Sequence, residues 1–374
     1  GLPDQNSISL AVEDGFVVEE GMTVDGVTRQ LTVRMADKFN NPVPDGTAAV
    51  FTTEYGVIES NCQTTGGACS VTWTSSAPRL PLLDENQALV VTINDPGYSC
   101  PSHSGASGPC PDDLGMIRGG RSTVLVSAIG EESFIDRNGN GIFDQDEAED
   151  GLFANLTEAW LDVNENGLAD PFTTACINNP DTLTCKAGSE DIFLDFNSNG
   201  VFDANGDDPT NGYPDEGVKA VYNGLLCPPE GDGVWCSRTL VNVRDSAVLI
   251  LSFDPNWDIA LYQGRTPQFN GTRSGGTYQV YISDLFNSKP PAGSTVSIAA
   301  SGDCTVEGKD SFNVPNTTAP GAFAIAFTQG GEIENSCEDR NPDNTGELTI
   351  TLSPNGGGED YSESWICRAR IVDT

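Results

Sequence analysis

A short pattern occurs twice in this chain at a constant offset of 247 residues. Val33, Asp37, Phe39, Asn40, Pro44 and Gly46 match Val280, Asp284, Phe286, Asn287, Pro291 and Gly293. In each copy an extended run leads into D-x-F-N, then P-x-G, then a second extended run. Six identities in one register over so short a window mark an internal duplication. A duplication restricts the fold strongly, because both copies must solve the same packing problem with the same turn chemistry.

The runs themselves are β-like. Leu31-Thr32-Val33-Arg34-Met35 alternates apolar and polar residues, which buries one face of a strand and wets the other. Comparable runs recur at 7–12, 48–53, 69–75, 88–93 and 122–129, and again at 247–253, 277–282, 295–300, 322–327, 347–352 and 365–372. Helix signals are scarce, and 41 Gly and 23 Pro punctuate the chain. The expected fold class is all-β: two antiparallel sandwiches, 1–131 and 238–374, with a loop-rich segment at 132–237 between them.

That middle segment carries a second repeat. Asp136-Arg-Asn138-Gly-Asn140-Gly-Ile142-Phe-Asp144, Asp162-Val-Asn164-Glu-Asn166-Gly-Leu168-Ala-Asp170 and Asp195-Phe-Asn197-Ser-Asn199-Gly-Val201-Phe-Asp203 all read D-x-N-x-N-G-x-x-D. Side-chain oxygens fall at positions 1, 3, 5 and 9, a backbone carbonyl at position 7 (Ile142, Leu168, Val201), and Gly at 6 allows the sharp turn. This is the donor spacing that wraps a short loop around Ca²⁺, a hard cation taking six to eight oxygens. About three Ca²⁺ sites are therefore expected.

Only the first loop has its own closing carboxylate at position 12, Glu147. The second has Thr173 there and the third Gly206. Four residues before each loop stands an acid, Glu132, Glu158 or Asp191. These acids are candidate donors that complete a shell or bridge to a neighbouring one; the competing reading has them only capping short helical turns. The pairs Phe134-Ile135, Trp160-Leu161 and Phe193-Leu194 are expected to pack the loops into a small core. A further candidate site lies between Asp203 and Glu216.

Charge agrees with a cation-dependent segment. The whole chain has 55 acids against 18 bases, net −37. Residues 131–217 alone hold 21 acids against Arg137 and Lys186. Without cations such a segment repels itself. The same balance excludes nucleic-acid partners, since nothing here neutralises a phosphate backbone. No run of 18 apolar residues exists, so no membrane-spanning helix is expected.

Eleven cysteines point to an oxidising compartment. Cys62/Cys69, Cys100/Cys110, Cys176/Cys185 and Cys227/Cys236 read as short-loop disulfides. Zinc is the rival reading, but it needs closer Cys spacing or histidines, and His103 is the only histidine. Of the remaining three, Cys304–Cys337 is the expected pair, with Cys367 left over. No catalytic constellation emerges: His103 sits in a Cys-bounded loop without a neighbouring base. Trp73 is expected in a core, and Trp235 and Trp257 in a core or staple role.

The run Asp37-Lys-Phe39-Asn40-Asn41-Pro42-Val43-Pro44-Asp45-Gly46-Thr47-Ala48 resembles the turn-and-strand signature of bacterial immunoglobulin-like domains of the invasin/intimin type, as does Ala68-Cys69-Ser70-Val71-Thr72-Trp73-Thr74-Ser75. The resemblance covers most of 1–131, and 238–374 more loosely, where Lys289-Pro290-Pro291 replaces the usual wording. The loop segment looks more like thrombospondin type 3 or dockerin-style loops. The resemblance implies extracellular display or stalk domains with no shared catalytic site. The expectation is a non-catalytic, exported bacterial surface protein or a mature fragment of one. In it Ca²⁺ stiffens the joint between two beads, and the partners are further copies of the chain or a host or cell-surface ligand. The alternatives are a filament subunit assembling by strand complementation, with Gly1–Asn6 as the donor arm, and an accessory region of a secreted hydrolase.

Overall fold

The computed structural model describes residues 1–77, 120–163, 165, 167, 191–196, 198, 200, 202, 221–252, 257–284, 288–319, 321–335, 344–355 and 359–373. These form two compact units. The first comprises 1–13 and 28–76 with the described residues of 122–248. The second comprises 14–27 with the described residues of 77–121 and 249–374.

Strands are numbered in chain order. The first eight are β1 (Ile8–Val12), β2 (Val17–Val18), β3 (Thr28–Met35), β4 (Ala48–Thr53), β5 (Val57–Ile58), β6 (Asn61–Gln63), β7 (Ala68–Thr74) and β8 (Arg121–Gly130). Then come β9 (Trp160–Leu161), β10 (Ile192–Phe193), β11 (Tyr222–Asn223), β12 (Cys236–Ser237) and β13 (Val241–Leu251). One sheet of the first unit runs β1-β3-β7-β5 and is antiparallel throughout. The other runs β13-β8-β4-β6.

The alternation read from sequence holds in the first sheet. Leu31, Val33 and Met35 of β3 and Val71 and Trp73 of β7 are buried, with Leu31 paired to Val71. From the second sheet Ala49, Phe51, Val124 and Val126 are buried. The expected core Trp73 is fully buried, and its indole N–H donates to Tyr55 O at 2.8 Å. The Cys62–Cys69 disulfide joins β6 of one sheet to β7 of the other.

The second unit repeats this plan with β14 (Asp258–Gln263), β15 (Thr266–Pro267), β16 (Thr272–Arg273), β17 (Thr277–Ser283), β18 (Thr295–Gly302), β19 (Thr305–Glu307) and β20 (Ser311–Asn313). It is completed by β21 (Phe323–Gly330), β22 (Glu332–Asn335), β23 (Thr345–Ser353), β24 (Tyr361–Arg368) and β25 (Arg370–Asp373). Its sheets run β15-β14-β17-β21-β19 and β16-β24-β23-β18-β20. Leu261, Val280 and Phe327 from the first and Val296, Leu348 and Ile350 from the second share one core, with Trp257 buried at its margin.

Position by position, β3, β4, β7, β8 and β13 correspond to β17, β18, β21, β23 and β24. The duplicated turn is conserved in its bonding. Asp37 N–H donates to Asn41 O, and its carboxylate accepts from Asn41 N–H, both at 2.9 Å. Asp284 makes the same two bonds with Ser288, again at 2.9 Å. Gly46 and Gly293 adopt φ of 86° and 83°, a left-handed conformation that glycine enters without a Cβ penalty.

The correspondence shows where the acidic segment belongs. In the second unit β23 and β24 are joined by a short connection; in the first, β8 and β13 are neighbours in one sheet but 110 residues of chain lie between them. The boundary drawn from sequence after residue 131 is therefore corrected. β13 completes the first sandwich, and the acidic segment is an insertion within it. Sequence order misled because the strand that completes the sheet follows the insertion.

The expected Cys304–Cys337 bridge is also corrected. Cys304 pairs with Cys367, Cα–Cα 6.3 Å. Strand register places Gly302 opposite Gly346 and Gly346 opposite Cys367, so the bridge spans the central strand β23. Gly346 lies in a tight space under the bridge: a Cβ there would stand 2.0 Å from Ser301 O and 3.2 Å from Cys304 Sγ. The Cys227–Cys236 bridge is present, whereas Cys100, Cys110, Cys176, Cys185, Cys337 and His103 lie outside the described residues. The segment proposed as a donor arm is engaged within its own unit: Asp4 N–H donates to Ala36 O at 3.0 Å, and Pro3 O accepts Glu131 N–H at 2.9 Å.

Candidate calcium loops

The insertion rests on the sandwich through specific contacts. Strand β8 is buried on both faces. Val124 and Val126 face the sandwich core, while Leu125 packs with Ala159, Leu161 and Val163 of the insertion. Burying a residue such as Leu161 completely stabilises by about 1.5–3 kcal/mol. Thr123 Oγ1 donates to Asp162 O at 3.0 Å. From β13, the Arg244 guanidinium donates to Thr157 O at 2.7 Å and Thr157 Oγ1 at 3.0 Å, and lies 4.5 Å from the Trp160 ring centroid. From the duplicated turn, Lys38 donates to Phe134 O and sits 4.1 Å from the Phe134 ring centroid.

Around the first loop a small aromatic core forms. Phe143, at loop position 8, is fully buried and stacks on Tyr222 with centroids 4.3 Å apart. Phe134 meets both edge-on at 5.3 Å. Half-buried Trp235 and the Cys227–Cys236 bridge close it. Phe202, position 8 of the third loop, packs on Phe193 and Trp160. The expected apolar pairs thus pack through Phe134, Leu161, Trp160 and Phe193, but Ile135 points outward, 62% exposed.

All three loops share one closure. The first Asp accepts the N–H of the sixth-position glycine: Asp136 Oδ2 from Gly141 at 2.8 Å, Asp162 Oδ2 from Gly167 at 2.8 Å, Asp195 Oδ2 from Gly200 at 2.7 Å. The three glycines have φ of 76°, 75° and 78°. In the first loop the Gly141 N–H, with those of Gly139 and Asn140, holds the Asp136 carboxyl below its ordinary range. Asn138 and Asn140 donate their amide N–H groups to Asp144 Oδ2 at 2.5 and 2.9 Å. Loops two and three are described at fewer positions; Asn164, Asn166, Leu168, Asp170, Asn197, Asn199, Val201, Asp203 and the 203–216 candidate lie outside the described residues.

A second closure is also common to all three. The N–H of the second loop residue donates to a buried carboxylate: Arg137 to Glu147 Oε1 at 2.8 Å, Val163 to Asp191 Oδ1 at 2.9 Å, Phe196 to Glu158 Oε1 at 2.8 Å. Glu147, Asp191 and Glu158 are 2%, 6% and 8% exposed. Glu147 also accepts Asp144 N–H at 3.0 Å and so caps the one-turn helix α1 (Gln145–Glu149). Glu132 does something else. Its two oxygens accept Leu156 N–H and Asn223 N–H, each at 2.7 Å, tying together two segments outside the loops.

The donor chemistry of the first loop fits a hard cation: carboxylates of Asp136, Asp144 and Glu147, amide oxygens of Asn138 and Asn140, and the Ile142 carbonyl, with no nitrogen or sulfur. The two amides must turn their oxygens inward to serve. Among the described residues no three Asp, Glu, His or Cys side chains converge as a metal site, so the three carboxylates of this set do not meet at one point in this geometry.

Fold and site together define an all-β protein of duplicated sandwiches, the first carrying an acidic insertion of three turn-closed loops. No family model and no curated protein sequence matches the chain. Among solved structures it is similar to the Yersinia pseudotuberculosis adhesin InvE, at 10% identity, 98% coverage of this chain and 60% of that one, TM-score 0.22. It is also similar to a C-terminal intimin fragment in complex with the intimin-binding domain of the translocated intimin receptor, at 9% identity, 98% and 65% coverage, TM-score 0.22. Escherichia coli alpha-2-macroglobulin activated by porcine elastase matches at 9% identity, 98% and 22% coverage, TM-score 0.21. The chain thus spans under two thirds of the first two chains. Likeness at this level carries no site residue across. Among the described residues no helix is long and apolar enough to cross a membrane.

Proposed function

We propose that the chain is a non-catalytic structural or adhesive protein of a bacterial surface, displayed outside the cell, and that Ca²⁺ folds and stiffens the insertion in its first sandwich. The observation that carries this reading is the repeated closure of three loops on oxygen donors, each with a first Asp on a sixth-position glycine and a buried carboxylate on the second N–H. Residues 131–217 hold 21 acids against Arg137 and Lys186, so added positive charge relieves their mutual repulsion. Three described disulfides favour an oxidising compartment. The partner would be a cell-surface ligand or further copies of the chain, in line with the receptor complex of the intimin fragment.

Because the insertion is anchored on both β8 and β13, its metal-linked folding energy is coupled to the first sandwich rather than to a joint between beads. Chelation tests this. With EGTA, limited proteolysis should open 131–217 and the melting temperature should fall. Identical digestion patterns with and without Ca²⁺ would refute structural calcium.

A further inference from the structure

The first loop is closed by its own position-12 glutamate, but the other two have Thr173 and Gly206 at that place. The carboxylate that takes over comes in each case from the opposite loop. Asp191, four residues before the third loop, accepts the second-position N–H of the second loop, Val163, at 2.9 Å. Glu158, four residues before the second loop, accepts the second-position N–H of the third, Phe196, at 2.8 Å. Glu147 makes the same bond at 2.8 Å within its own loop, to Arg137. The first loop therefore serves as an internal standard for what the other two do by exchange.

Local pairing explains the exchange. β9 and β10 are antiparallel, Leu161 opposite Ile192 and Trp160 opposite Phe193, and each strand runs directly into its loop. Leu194 N–H extends the ladder to Ala159 O at 2.8 Å. An antiparallel pair sets the residue before one loop beside the start of the other, so an acid four residues upstream reaches across. Both carboxylates are buried, where an ionised group is costly unless bonded.

We propose, resting on the calcium reading above, that the second and third loops bind Ca²⁺ as one reciprocal unit. Asp191 is the closing carboxylate of the second loop and Glu158 that of the third, while the first loop binds independently through Glu147. Loss of either crossing carboxylate then weakens both ions of the pair, because each also sits at the base of the strand that carries its own loop.

The test uses the whole chain, Ca²⁺ alone as probe, and native mass spectrometry with titration calorimetry. Wild type should take three ions, two cooperatively and one independently. Asp191→Asn and Glu158→Gln keep an oxygen for the Val163 and Phe196 N–H bonds but remove the charge. Each should weaken two ions by about 10–100-fold, the range for losing a group that orients metal ligands. Glu147→Gln should weaken one. Asp162→Ala gives a second route, since it should also weaken the third loop. A loss of one ion per variant, or three independent ions in wild type, overturns the exchange while leaving calcium in place. A wild type that binds no Ca²⁺ overturns the calcium reading itself.

Discussion

Phe39 lies against Gly141: a Cβ placed on the glycine would stand 3.2 Å from Phe39 Cζ. Phe39 belongs to the duplicated D-x-F-N turn of the sandwich, and Gly141 is the sixth residue of the first loop, at φ 76°. The duplicated turn of the sandwich thus packs on the first loop of the insertion. Gly141→Ala adds both a left-handed strain of about 1–2 kcal/mol and a tight contact. Calorimetry should show a weaker first Ca²⁺ site, with the Cys304–Cys367 unit unaffected by the same melt.

Arg244 is the strut from β13 to the insertion. Burial lowers its guanidinium to about 10, with the Glu132 charge acting in the opposite sense. Lysine cannot reproduce the two bonds to Thr157 or the flat contact on Trp160. Arg244→Lys should cost about 1–3 kcal/mol and speed hydrogen exchange at residues 157–161. Unchanged exchange there would show that the strut carries nothing.

Glu54, at the end of β4, gives a pH signature. Burial pushes its carboxyl from an ordinary 4.5 up to about 7; Tyr55 and Thr123 oppose this, and the charges of Glu165 and Asp162 add to it. The folded pKa is raised, so folding takes up a proton. The stabilisation is full below pH 4.5 and is lost as pH rises through about 7. In calcium-free buffer Glu54→Gln should flatten the fall in melting temperature between those values relative to wild type. Parallel curves would remove Glu54 as the cause.

Non-reducing peptide mapping should recover Cys304 joined to Cys367. Cys367→Ser should destabilise the second unit by about 2–5 kcal/mol, as removal of a native bridge typically does. A Cys304–Cys337 peptide would contradict this connectivity.

Much of this was legible in the residues. Period-two alternation in β3 and β7 specified which side chains face inward, and the 247-residue offset announced two sandwiches whose Asp37 and Asp284 turns prove to be bonded alike. The D-x-N-x-N-G spacing placed a glycine at the sharp turn of each loop, and Gly141, Gly167 and Gly200 adopt φ of 76°, 75° and 78° there. One available signal was passed over: Val124-Leu125-Val126 is a continuous apolar run, the mark of a strand covered on both faces, and it marks where the insertion docks.

Sequence by itself determined the strand faces, the turn chemistry and the glycine turns of the three loops, because each depends on residues close together along the chain. Only the tertiary structure decided that β13 completes the first sheet across the insertion, that Cys304 reaches Cys367 over Gly346, and that Asp191 and Glu158 trade loops. Those outcomes are set by strand register, which brings together residues whose separation along the chain carries no hint of their separation in space.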